Sequence, residues 1–436
     1  MLFSNKYPIY NDYIYKNKLK TEKSMQPKTN NKTWGHRLFK AIAVIIGALI
    51  LVVAAYAVYV FTSYHRIEDR HELTVTNKNE GTTVVATNST AAGVTNGTAN
   101  STAAGATNGT TDSTAAGTAN TTNNAANAAK TNTEYSIVTY NVGFGAYTPD
   151  YSFFMDGGKF SWAQSKDSVI ETIGGCIKTL QDLDPDISLI EEIDVDATRS
   201  YHVPELDYFA RDLSYENYVF AVNYDSAFLF YPLTQPHGKT LAGIGTFSKF
   251  PIASAVRRSF PISESFSKIL DLDRCYSAAR IPVENGRELV VYAVHMSAYG
   301  NSDEVREGQK VMLLQDMKEE ADKGNYVICG GDFNHDLVAD DSLNEVESWA
   351  YPFPRSYIPE GMHMCLDHLT NDEKAALAPT CRSAKTEIKS DMETYVLDGF
   401  IISDNVEQVS YETVDTEFKY SDHNPVRLVF KLNEGS

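Results

Sequence analysis

Residues able to bind a metal or move a proton recur at the ends of apolar runs in the C-terminal two thirds of the chain. Asn141 ends SIVTYN, Glu191 and Glu192 end ISLIEE, and His295 ends ELVVYAVH. Asp332 and Asn334 close YVICGGDFN, and Asp422-His423 precedes VRLVF. Taken singly, each is an ordinary solvated loop residue. Five such strand ends with compatible chemistry instead describe one rim, where neighbouring strands would bring the groups together.

The chemistry these types support is hydrolysis of a phosphate ester, which needs charge neutralised on the phosphoryl group, water made nucleophilic, and the leaving oxygen protected. Glu192, Asp332 and Asp422 are hard oxygen ligands suited to Mg²⁺ or Mn²⁺, and no Cys/His cluster at zinc spacing is visible. His423, in Ser421-Asp422-His423-Asn424-Pro425, is the first acid/base candidate and His295 the second. The glycines of Gly330-Gly331-Asp332-Phe333-Asn334 permit a tight turn that aims acid and amide the same way.

The elements that must position these groups are strands, read from the runs above together with GIGTFS and VLDGFIIS, and two helices. One helix carries Val169, Ile170, Ile173, Ile177 and Leu180 on a single face and ends before Asp184-Pro185. The other carries Leu314, Met317 and Ala321 and stops at Gly324. Many strands with few helices predict two packed sheets with helices outside.

The ordered set Thr139-Tyr140-Asn141, Asp186 to Glu192, Val294-His295, Gly331-Asp332-Phe333-Asn334, Leu397-Asp398-Gly399 and Ser421 to Pro425 resembles the endonuclease/exonuclease/phosphatase superfamily. The resemblance covers about Tyr135 to Leu432 and implies an α/β fold, a four-layered sandwich of two β-sheets flanked by helices. It implies Glu192 as principal metal ligand, with Asn141 beside metal and phosphate and Asp422 as a further metal-side carboxylate. Asp332 and Asn334 would orient the water, His423 would be the general acid/base held by Asp398, and His295 would donate to the phosphate. Many members have Gln where this chain has Glu191, a departure that adds a negative charge. The family shares its site and varies its loops, so substrate is not implied. Here those loops are Tyr147 to Trp162 and Tyr224 to Gly243, and Arg274, Arg280 and Arg306 are candidates to grip substrate phosphates.

The remaining third of the chain reads as appendages. Residues 1–40 hold nine Lys/Arg against two acids and predict a disordered basic tail. Residues 41–61 carry no charge, enough at about 1.5 Å per residue to span a bilayer core of about 30 Å. A transmembrane helix over 41–62 is expected; Ala55-Tyr56-Ala57 resembles a signal-peptide cleavage site, but the run is longer than such peptides use. The basic excess before the helix places the N-terminus in the cytoplasm and the rest outside the cell. Residues 63–133 are expected to form a stalk, with a twelve-residue repeat of Ser-Thr-Ala-Ala-Gly at Ser89, Ser101 and Ser113 that lacks side chains to build a core. The catalytic domain is expected over 134–436.

From Glu134 onward the chain holds 50 acids and 25 bases, a net of −25 that repels polyanions. Phosphate esters on small molecules or lipid headgroups suit it better than nucleic acid, and no obligate protein partner is expected. An extracellular nuclease is the alternative, and a non-catalytic adhesion protein would have no use for the full set of site residues. Of five cysteines, Cys176 and Cys329 read as buried thiols, and Cys365 with Cys381 is the pair to consider for a disulfide.

Overall fold

A computed structural model describes residues 31–63, 66–78, 82–84, 127–262, 273–298, 303–339 and 349–434. The chain divides into two units, Met1–Thr62 and Ser63–Ser436. The first contains helix α1, Asn31–Ser63, of which Trp34–Ser63 is long and apolar enough to cross a membrane. The basic tail before Asn31 and the twelve-residue repeats lie outside the described residues.

The second unit holds two large mixed sheets. In chain order its strands are β1 (His71–Glu72), β2 (Val75–Asn77), β3 (Thr82–Val84), β4 (Glu134–Asn141), β5 (Ile187–Ala197), β6 (Asn217–Leu229) and β7 (Gly238–Ser248). There follow β8 (Ser254–Ser259), β9 (Cys275–Pro282), β10 (Glu288–His295), β11 (Tyr326–Asp332), β12 (Met362–Met364), the short pair β13 (Cys381–Arg382) and β14 (Thr394–Tyr395), β15 (Asp398–Ser403), β16 (Val406–Thr413) and β17 (Val426–Leu432). One sheet runs β1-β8-β9-β10-β11-β15-β12 and the other β16-β17-β4-β5-β7-β6-β2-β3. Their facing sides build the main core, with Leu189, Val294, Ile328 and Phe400 fully buried.

Helix α2 (Lys166–Leu183) forms where the sequence predicts it. Ser165 caps it by accepting from Ser168 N at 3.0 Å, a contact worth about 1 kcal/mol. Val169, Ile173, Cys176, Ile177 and Leu180 are buried against the outer face of the second sheet, each aliphatic contributing about 1.5–3 kcal/mol. Asp184 in the left-handed region, followed by Pro185, stops it. Short α3 (Glu205–Asp212) covers the same face through Phe209. Helix α4 (Asp303–Asp322) covers the other sheet, where Tyr292 donates to Asp316 O at 3.1 Å, and ends at Gly324 (φ 85°). Helix α5 (Asn371–Ala376) is a single capped turn.

The expected domain start at Glu134 is corrected by the N-terminal strands. β1 pairs with β8 and β2 with β6, and Arg66, Ile67 and Asp69 bond to Phe260, Asp273 and Ser259. Residues 66–77, assigned to a stalk from composition, therefore belong to the catalytic unit. Short polar strands of this kind carry no apolar run to reveal them. The considered disulfide is also absent: Cys365 and Cys381 are free thiols, one in the main core and one in a small cluster with Ala350 and Leu397.

Candidate active site

Register puts three of the site residues in one transverse row. His295 ends β10 opposite Asp332 of the parallel strand β11, and Asp332 lies opposite Asp398 of the antiparallel strand β15. β11 can lie this close only because position 331 is glycine: its φ is 144°, and a Cβ would meet Val294 O at 1.9 Å. The other sheet supplies Asn141 at the end of β4, opposite Glu191 of the parallel strand β5. Glu192, with φ 58°, lies within a break in the β5–β7 register between Ile190 and Ile193, so its side chain departs from strand alternation.

Asn141 joins the sheets. Its Nδ2 donates to Asp332 Oδ2 at 3.2 Å and to Glu192 Oε1 at 3.4 Å, while its Oδ1 accepts from Gly143 N at 3.1 Å. Asn334 N donates to Asp332 Oδ1 at 2.8 Å, and Asn334 Nδ2 to Met296 O at 2.9 Å, which fixes both groups beside the row. Ser421 donates to Asn141 O at 2.7 Å and accepts from His423 N at 3.1 Å, tying the β17 approach to the same point.

The two histidines are set to different states. His423 Nδ1 lies 2.8 Å from Asp398 Oδ2 and its Nε2 lies 3.9 Å from Asp332 Oδ2. Burial disfavours its charge, but Asp398 outweighs burial and raises it well above the ordinary histidine range. His295 Nε2 faces Asp332 at 3.5 Å and Glu192 at 3.8 Å, yet burial, then Arg274, holds it well below that range. The surroundings thus favour the charged form of one ring and the neutral form of the other, the division of labour that acid–base chemistry requires.

Negative charge is crowded here. Burial, then Asp398, pushes Asp332 up to about 7, and burial pushes Asp422 up to about 6, with Glu192 adding to it. Glu191 is fully buried, accepts from Thr139 Oγ1 at 2.9 Å and leaves Oε2 without a partner among the described residues; burial, then Asp398, raises it strongly. Its surroundings therefore favour the neutral carboxyl over the extra charge that this position would add. Asp332, Asp398 and His423 each offer a ligand atom within 4.8 Å of the others. Because Asp398 and His423 already bond each other, the carboxylates that converge for a cation are Glu192 and Asp332, both reached by Asn141 Nδ2. This all-oxygen, surplus-negative set fits a hard divalent ion.

Of the three candidate arginines, Arg274 is 8% exposed and its charge acts on His295 and Asp332. Arg280 is corrected to a structural role, because Glu320 and Glu288 hold its guanidinium at 2.6 Å along the length of β9, opposite Val290. Arg306 lies on α4 with its guanidinium 4.6 Å above the Tyr351 ring, and its charge acts on His335, next to Asn334. Sequence reading missed Arg199 and Arg382. Arg199 pairs with Asp194 at 2.8 Å, lies 3.8 Å above the Phe144 ring and acts on His295. Arg382 is 1% exposed and acts on Asp422. Arg199 follows the end of β5 and Arg382 ends the two-residue β13, but neither stands in a run of apolar residues that would have marked it in the sequence.

The sequence profile of the Endonuclease/Exonuclease/phosphatase family matches residues 138–423. The chain belongs to this family. Members are hydrolases acting on phosphate-ester bonds and depend on a divalent metal, and the chain is a hydrolase of that class. No curated protein matches the sequence. An endonuclease/exonuclease/phosphatase from Beutenbergia cavernae is similar in structure at 16% identity and TM-score 0.50, over 69% of this chain and 72% of that one. A family protein from Bacteroides vulgatus (15% identity, TM-score 0.46) and D. rerio TDP2 complexed with single-strand DNA product (15%, 0.45) are each spanned completely by 69% of this chain.

Proposed function

We propose that this chain is a membrane-anchored, extracellular phosphodiesterase or phosphatase dependent on Mg²⁺ or Mn²⁺. The observation that carries the reading is the convergence of Asn141 and Glu192 from one sheet on the His295–Asp332–Asp398 row of the other, with His423 bonded to Asp398. Glu192, Asn141 and Asp422 would hold the metal, which when bound neutralises phosphate charge and stabilises the departing oxygen.

The chain's own groups divide the rest. Asp332, fixed by Asn334, takes a proton from the attacking water as the water oxygen bonds to phosphorus. His423, oriented through Nδ1 by Asp398, gives its Nε2 proton to the ester oxygen as the phosphorus–oxygen bond breaks. Neutral His295 and cationic Arg274 hold the non-bridging oxygens.

Anchoring is supported by α1, and the extracellular placement by the basic residues before it. The net charge of −25 beyond Glu134 favours small or lipid-borne esters over a polyanion. The test is hydrolysis of bis-p-nitrophenyl phosphate by the full chain, abolished by EDTA and restored by Mg²⁺ or Mn²⁺, beside nicked plasmid. Activity that survives EDTA removes the mechanism, and a strong preference for plasmid turns the assignment to the nuclease alternative.

A further inference from the structure

The way the chain enters the catalytic unit puts a constraint on where the site can work. Helix α1 ends at Ser63, and Arg66 is already bonded to Phe260 O and paired with Asp273 at 3.7 Å. Three peptide steps reach at most about 11 Å. The low-complexity segment cannot lengthen this leash, because β1 and β2 precede it and β4 follows it, all in the same unit.

The leash attaches at the catalytic rim. Asp69 accepts from Ser259 N at 2.9 Å, and Ser259 donates to Ile67 O at 3.0 Å. Ser259 ends β8 opposite Cys275 of β9, and the next residue of β9, Tyr276, lies opposite Val294. Ser259 is thus level with His295, two strands away, or about 10 Å at ordinary strand spacing.

The same rim carries an apolar projection. Ile190 lies opposite Gly245, and β7 extends from there seven residues back to Gly238, so the β6–β7 hairpin overshoots the rim by roughly 20 Å of strand. From Ser226 to Gly238 this hairpin has no charged residue, in a unit rich in acids. At its tip Tyr231 is 70% exposed and Leu233 85%, beside Phe230 at 52%. The tip is continuous with the site: Tyr231 packs on Phe154 (5.9 Å between centroids), Phe154 on Phe153 (5.0 Å), and Phe153 on Phe144 (5.8 Å), which follows Asn141 on the same turn of chain.

We propose that the catalytic rim faces a lipid bilayer, with the Phe230–Leu233 tip inserted in its interface, and that the site acts on phosphate esters carried by lipids of that bilayer. The inference rests on reading α1 as a membrane anchor and the site as a phosphoesterase. A short leash and an uncharged aromatic tip on one rim are what an interfacial enzyme needs: Tyr, Phe and Leu partition into the headgroup boundary, while the acidic remainder stays in water.

The test uses the full chain reconstituted in phosphatidylcholine vesicles that also carry sphingomyelin and phosphatidic acid. All five native cysteines are buried, so a bimane probe goes to the thiol introduced by Leu233→Cys, or by Asp404→Cys in the turn after β15, at the far end of the sheets. Doxyl-labelled phosphatidylcholine is expected to quench the probe at position 233 and to spare the one at 404. Replacing Phe230, Tyr231 and Leu233 together by Ser is expected to lower release of phosphate or phosphocholine from the vesicle lipids at least tenfold. Hydrolysis of soluble bis-p-nitrophenyl phosphate is expected to stay within twofold of the parent. No quenching at position 233, or equal lipid hydrolysis in parent and variant, none in both included, overturns the proposal. Bis-p-nitrophenyl phosphate turnover reports separately whether the phosphoesterase reading stands.

Discussion

His423 Nδ1 lies 2.8 Å from Asp398 Oδ2, a bond between β15 and the approach to β17 that fixes the imidazole with Nε2 toward Asp332. Asp398→Asn removes the charge that favours the protonated form of His423 while leaving a polar group of the same size. We expect kcat on bis-p-nitrophenyl phosphate to fall by about 10²-fold or more with KM little changed, as for loss of a general acid, and His423→Ala to fall at least as far. Full activity in either variant would discard His423 as the acid.

Glu192 is the least enclosed of the converging acids, with its side chain 26% exposed, and hence the one open to an incoming ion. Glu192→Ala is expected to lower kcat by at least about 10²-fold and to raise the Mg²⁺ concentration needed for half activity. Calorimetric titration of metal into the parent and the variant checks the second effect without reference to turnover.

Gly331 has no room for a side chain. Gly331→Ala drives a methyl into Val294 O and should cost about 3 kcal/mol or more through backbone strain and overpacking. Denaturant unfolding measures it, and a loss under about 1 kcal/mol would show that β10 and β11 can separate cheaply.

The Arg280–Glu320 pair sorts structure from catalysis. Burial opposes ionisation of Glu320, but hydrogen bonds from Arg280, Lys323 and Asn325 win and bring it down to about 2. A depressed acid stabilises the fold above its unfolded value near 4.5, and that stabilisation is lost as pH falls toward 2. Glu320→Gln should therefore destabilise by about 1.5–3 kcal/mol at pH 7, with the difference closing between about pH 4.5 and 2. Arg280→Leu should leave kcat/KM unchanged within about twofold, whereas Arg274→Leu should lower it about tenfold or more.

Much of this site was legible because its residues terminate uniformly apolar strands. ELVVYAVH corresponds to β10 from Glu288 to His295 because every residue from Leu289 is buried, and α2 follows from its 3.6-residue period. Strands β8 and β9 were not legible, because they carry polar residues inward. Arg257 is 1% exposed and donates to Val222 O at 2.7 Å and Asp273 O at 2.9 Å, satisfying carbonyls where an apolar side chain was expected. Arg280 misled for the converse reason. An arginine near a family motif looks like a phosphate ligand until its two acids, 8 and 40 residues away, are seen beside it. Composition likewise hid the first strands, since His71–Glu72 and Val75–Asn77 borrow their order from partners far along the chain, His71 opposite Arg257 and Thr76 opposite Tyr218.

Because Asn141 and Glu192 come from one sheet and Asp332, Asp398 and His295 from the other, the centre exists only at the separation that the core between them sets. Gly330 holds that separation small: a Cβ there would strike Phe400 at 2.3 Å and Leu189 of the opposite sheet at 3.0 Å. Any side chain at this position would act as a shim, prising the two halves apart and dispersing the metal-facing oxygens while each strand stayed intact. Turnover in this molecule is accordingly a gauge of how tightly its two sheets are closed.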